Sequence, residues 1–172
     1  MLFRSHSSLK LNNMKKNLLL IAMIVSTIFV NAQSKGSSYK TALGLKFYPT
    51  GITLKHFTSQ NSALEGILYT WGYGSRITGL YEFHGNISSD ARGLKYYIGG
   101  GGHIGFWNDT WRKDYPTRDN GVGIGIDGVL GLDYKFNGAP INLSVDWQPS
   151  INLTGYTYSE FGWGGIAIRY TF

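Results

Sequence analysis

The stretch Ile141-Asn142-Leu143-Ser144-Val145-Asp146-Trp147-Gln148 alternates apolar and polar residues without a break. Successive side chains of an extended strand point to opposite faces, so Ile141, Leu143, Val145 and Trp147 share one face and Asn142, Ser144, Asp146 and Gln148 the other. A helix would scatter both sets around its circumference. Upstream, Ile124, Ile126, Leu130, Leu132, Tyr134 and Phe136 oppose Gly123, Gly125, Asp127, Gly131, Asp133 and Lys135 in the same way. Downstream, Ile166, Ile168, Tyr170 and Phe172 oppose Gly165, Ala167, Arg169 and Thr171.

Extending this period predicts eight strands over 39–48, 51–57, 62–72, 76–85, 94–107, 121–136, 140–150 and 163–172. The connectors between them carry turn residues, among them Pro49-Thr50-Gly51, Gly72-Tyr73-Gly74-Ser75 and Asn137-Gly138-Ala139-Pro140. No helical period is visible after residue 33, and no long-period repeat or low-complexity segment stands out. Several strands approach the length of about 9–11 residues that a tilted strand needs to cross a bilayer. An even strand count returns both chain ends to one side. The connectors at 108–120 and 154–162, two of the longest, then fall together on the other side, and 86–93 is a longish turn on the side of the ends.

Composition agrees with a surface that does not face water throughout. Charged residues make up 15% of the 172-residue chain, against about 25% in a soluble domain. There is no cysteine, which excludes disulfides, thiolate metal sites, a cysteine nucleophile and an N-terminal lipid anchor on cysteine. The formal charge of +6 is misleading. Arg4, Lys10, Lys15 and Lys16 all precede residue 33, and the remaining 12 basic residues nearly balance 10 acidic ones. No basic patch is left to bind nucleic acid.

Those early lysines have another reading. Lys15 and Lys16 precede the apolar run Leu18–Val30, followed by Val30-Asn31-Ala32 and then Gln33. A basic start, a short apolar core and small residues before a cut after Ala32 make a secretory signal peptide. At 13 residues the run is too short for a spanning helix, which takes about 20. Met14 is a natural start for such a signal, leaving 1–13 as an extended n-region or as residues upstream of the true start. The expected division is 1–32 as extension and cleaved signal, and 33–172 as the barrel.

Which face meets lipid follows from glycine. Gly99, Gly101 and Gly105 alternate with Ile98, Ile104 and Phe106, and Gly123, Gly125 and Gly131 oppose the aliphatic face. Glycine and charge cannot build an apolar core, whereas a narrow barrel needs small residues inside. The aliphatic face therefore points outwards. Tyr96, Tyr134, Phe136, Tyr170 and Phe172 lie near one set of strand ends and Phe106 and Trp147 towards the other, as two interfacial girdles would. The fold class expected is all-β, an eight-stranded antiparallel up-and-down transmembrane β-barrel.

With the export signal, the eight alternating strands and the ending Gly165-Ile166-Ala167-Ile168-Arg169-Tyr170-Thr171-Phe172, the chain resembles small OmpA/OmpX-like outer-membrane barrels of Gram-negative bacteria. The resemblance covers essentially the whole of 33–172. It implies that Ile166, Ile168, Tyr170 and Phe172 form the signal read by the barrel-assembly machinery, with outer-membrane lipids as surroundings and a monomer as the working form.

The polar faces collect Lys46, Lys55, Glu65, Arg76, Glu82, His84, Lys95, His103, Asp127, Asp133, Lys135, Asp146 and Arg169. Charge in hydrocarbon is costly, so these groups must point inwards and pair, forming a lumen network that plugs the barrel. Slow passage of small solutes is an alternative that a polar lumen permits. A lipid A-modifying enzyme is another, but Gly105, not serine, stands two positions after His103, and no His-x-Ser pair occurs at either inward histidine. Asp109, Asp114 and Asp119 are spaced too widely for a calcium loop. No catalytic residue, cofactor or metal site is expected. The loops 108–120 and 154–162 carry Trp111, Arg112, Tyr115, Arg118, Tyr156 and Tyr158, residues suited equally to an extracellular ligand and to lipid headgroups.

Overall fold

A computed structural model describes residues 39–87, 93–114, 121–154 and 158–172. The alternating stretches are strands, and the period of two sets which side of the sheet each residue takes. Among the described residues there are ten: β1 (Thr41–Phe47), β2 (Gly51–Phe57), β3 (Ser62–Trp71), β4 (Gly74–Asn86), β5 (Leu94–Trp107), β6 (Val122–Lys135), β7 (Ile141–Trp147), β8 (Ser150–Asn152), β9 (Tyr158–Glu160) and β10 (Gly164–Thr171). One short helix, α1 (Asp109–Asp114), follows β5.

The ten strands make eight staves. Leu130 faces Trp147 and Asp127 faces Ser150 in one continuous register, so β8 prolongs β7. The ladder lapses only at Gln148–Pro149, where proline has no N–H to donate. β9 and β10 also form one stave, with a bulge between them. Trp147 faces Gly164 while Ser150 faces Glu160, so Phe161, Gly162 and Trp163 oppose only two residues. Gly164 and Gly165 take φ of 131° and 127° there, a backbone that a side chain would strain. Each stave pairs antiparallel with its chain neighbours, and β1 pairs β10 from Ala42↔Thr171 to Phe47↔Ile166, which closes the barrel.

The inside and the outside are inverted relative to a protein in water. Leu45, Ile126 and Ile168 are each 51% exposed, while Lys46, Lys55 and Glu82 are wholly buried. Inward glycines act as slots for rings lying flat across them. A Cβ on Gly131 would stand 2.5 Å from the Tyr97 ring, one on Gly123 2.7 Å from Trp107, and one on Gly125 would strike His103.

Three expectations change. The seventh stave runs on to Asn152 and the eighth begins at Tyr158, so the connector drawn over 154–162 is shorter and Tyr158 opens a strand rather than sitting in a loop. The parity of the last stave switches at the bulge, which hides its outer part from a period-two reading. The connector after β5 opens with α1, whose charged, non-periodic residues gave no helical signal but whose Asp109 sits favourably in the first turn.

Candidate functional site: the polar lumen

The lumen is described from the mouth carrying the chain ends, the terminal mouth, towards the mouth carrying α1, the loop mouth. Strand parity aims one charge from nearly every stave at the axis, and the staves are close enough for those charges to meet. Near the terminal mouth, Lys55 (β2) lies 2.8 Å from Glu82 (β4), 3.2 Å from Glu65 (β3) and 3.8 Å from Asp133 (β6). Arg169 (β10) pairs with Glu65 and donates to Ser144 at 2.7 Å and to Asn142 and Thr53 at 3.2 Å. Asn142 donates in turn to Asp133 at 2.9 Å. His84 meets Glu82 at 2.9 Å and stacks on Tyr97.

The middle of the lumen is held by Lys46 (β1) and Asp146 (β7), 2.8 Å apart, with the Tyr97 hydroxyl donating to the same carboxylate at 2.7 Å. The Tyr69 hydroxyl donates to Gln148 at 2.8 Å, and Gln148 donates to Asp127 at 3.1 Å. Ile67, Leu80 and Val129 pack against these two tyrosines. Towards the loop mouth, Asp127 (β6) receives Arg76 (β4) and lies 2.8 Å from His103 (β5), whose other ring nitrogen is 2.9 Å from Asn152. Arg76 lies under the Trp163 ring at 4.1 Å and 3.5 Å from Glu160, which accepts the Trp163 indole N–H at 2.7 Å. Trp71 packs edge-on against Trp163.

The described lumen therefore holds three clusters of paired charges and hydrogen bonds, joined through ring contacts: Lys55 and His84 against Tyr97, and Lys46 over Tyr69. Pairing is what makes burial of so many charges tolerable. Its chemical capacity is limited. His103 has both ring nitrogens engaged by Asp127 and Asn152 rather than by a hydroxyl nucleophile. No group of three or more acidic and histidine side chains converges to hold a metal ion among the described residues.

Among solved structures, the N-terminal β-barrel domain of Pseudomonas aeruginosa OprF matches with a TM-score of 0.53 at 15% identity, covering 77% of this chain and 94% of that domain. The two share a β-barrel fold. At that identity the likeness is one of architecture. No family model and no curated protein matches the chain.

Within this barrel, ten of the eleven residues read as the lumen network are buried: Lys46, Lys55, Glu65, Arg76, Glu82, His103, Asp127, Asp133, Asp146 and Arg169. Lys95 stands apart as a half-buried residue at the terminal mouth, its Nζ 3.5 Å from the Gln60 carbonyl. Reading charge alone missed Glu160 and Trp163, because the bulge reverses parity before them. It also missed Tyr69 and Tyr97, aromatic residues facing inwards. Of the loop candidates, Trp111 and Arg112 lie in α1, while Tyr115, Arg118 and Tyr156 are outside the described residues, as are 1–38 with the expected signal. On β10, Ile166, Ile168 and Tyr170 face outwards in a row, and Phe172 exchanges backbone hydrogen bonds with Thr41.

Proposed function

We propose that this chain is an outer-membrane barrel with a sealed polar plug, whose role is structural or lies in surface interactions through its longest loop. The observation that carries the reading is the inverted burial: paired charges at zero exposure inside an aliphatic outer surface. That surface suits hydrocarbon and is a liability in water. The OmpA-like fold supports the location. In this reading the export segment at 1–32 delivers the chain, the terminal mouth faces the periplasm, and the assembly machinery reads the outward row on β10. The loop 108–120 meets a ligand or lipid headgroups outside.

Catalysis forms no part of the reading, since both inward histidines are held by carboxylates within the plug. The test is expression with residues 1–32 intact, followed by fractionation, unheated gel electrophoresis and reconstitution in a planar bilayer. The protein is expected in the outer membrane, with a band that shifts on heating and a bilayer without conductance steps. A soluble product whose mobility ignores heating would overturn the location, and steady conductance steps would overturn the plug.

A further inference from the structure

The terminal mouth does not close over the plug. It opens into a cavity of about 540 Å³, walled by Tyr39 and Lys40 ahead of β1, the stretch from Phe57 to Asn61, the end of β4, Lys95 on β5 and the end of β6. Among the described residues of that wall Asp133 is the one acid, and it is already engaged. Lys55 lies 3.8 Å from it, Asn142 donates to it at 2.9 Å, and the Tyr39 hydroxyl donates to both its oxygens at 3.2 Å. Burial, and then the Asp133 charge, push the Tyr39 hydroxyl well above its ordinary pKa, which keeps it a donor.

Three lysines line the same wall as this engaged carboxylate. Lys135 donates to the Phe136 carbonyl at 2.9 Å and the Ala139 carbonyl at 2.6 Å, contacts that fix its ammonium at the rim without cancelling its charge. Lys95 is half-buried, with its Nζ at 5.5 Å from the Phe57 ring. Lys40 is exposed at the entrance. Neither Lys40 nor Lys95 has a carboxylate partner among the described residues. Gln60, Asn61 and Asn86 add amide donors to the same wall. A concave wall whose described charges are mostly of one sign, backed by a low-dielectric barrel, concentrates its field on whatever enters.

We propose that this cavity is a binding site for a small multivalent anion, a carboxylate- or phosphate-bearing group admitted from the side of the chain ends. Such an anion would gain charge-assisted hydrogen bonds from Lys40 and Lys95 and neutral ones from the amides. A cation entering the same space would meet three ammonium groups. The site shares Asp133 with the lumen network but does not require the lumen to be sealed.

The experiment is calorimetric titration of the full barrel, refolded in zwitterionic micelles, with inorganic pyrophosphate and separately with citrate. Saturable binding is expected, and the paired substitution Lys40→Gln with Lys95→Gln should weaken it about tenfold. Gly72→Ala, in the β3–β4 turn at the other mouth where a Cβ meets open space, should leave it unchanged. Tighter binding of pyrophosphate assigns the site to phosphate, and tighter binding of citrate to carboxylate. An unheated gel run on each variant separates failure to bind from failure to fold. Lys95→Gln alone provides a second variant expected to weaken binding in the same direction. Absence of saturable heat with both anions, or binding undiminished by the paired substitution, would overturn the site.

Discussion

Arg169 shows how one side chain holds the lumen network together. Its guanidinium reaches Glu65 on β3, Ser144 and Asn142 on β7 and Thr53 on β2, and it is 1% exposed. Replacing it with methionine leaves Lys55 as the cation within 4 Å of Glu65, Glu82 and Asp133 together. Stranding a buried charge in this way costs on the order of 3–5 kcal/mol. The double change Arg169→Met with Glu65→Gln removes both partners and should recover a large part of that loss, because the two sites are coupled. Urea unfolding in lipid vesicles, followed by tryptophan fluorescence, measures both. With Glu65→Gln measured alone as well, a double-variant cost equal to the sum of the two single costs would mean that the pair contributes no coupling. Parity alone placed Arg169 and Glu65 on the inside. Their meeting was not legible, because they lie 104 positions apart and approach only once the barrel has closed in one register. Inward Tyr69 and Tyr97 were hidden for a related reason: a ring fits inside only where a facing residue such as Gly131 lacks a side chain.

Among the elements, the last stave departs most from its sequence pattern. Arg169 faces inwards at an odd position, while Glu160, at an even one, reaches Arg76 in the same lumen. One extra residue in the bulge accounts for the switch. A period-two reading therefore loses the strand near Trp163, although the ladder continues to Tyr158. Gly165 makes this geometry available, with φ of 127° and no room for a Cβ beside the Phe47 carbonyl. Gly165→Val should lower stability by about 1–3 kcal/mol from the backbone strain alone. Gly162→Ala, where a Cβ meets open space, should stay within about 0.5 kcal/mol of the parent. The fraction of each variant reaching the compact, heat-shiftable band on refolding tests the contrast. Equal yields would mean that the bulge does not depend on its glycines. The seventh stave offers a milder case, since Pro149 interrupts the hydrogen bonds without changing the register on the β6 side.

At the scale of the whole molecule, the alternation was legible because it is uniform: outward aliphatics circle all eight staves, and the charges opposite them share one axis. What alternation cannot state is the solvent, since a soluble barrel with its faces exchanged has the same period. Depth dependence distinguishes the two. Ile168 is directly opposite Leu45 on one side and Leu143 on the other, in the middle of β10 and deeper than Tyr170, which lies near the terminal mouth. In a bilayer, an arginine on the lipid face costs about 2–4 kcal/mol at the midplane and falls to about 0–1 near the interface. Ile168→Arg should therefore be strongly destabilising in lipid vesicles and Tyr170→Arg close to neutral, both read by reversible urea unfolding. A barrel whose outer face met water would gain solubility from either change and would show no gradient between them. Equal effects at the two positions would remove the hydrocarbon from around the stave, because a row of aliphatics this long has a depth profile only when something apolar lies against it.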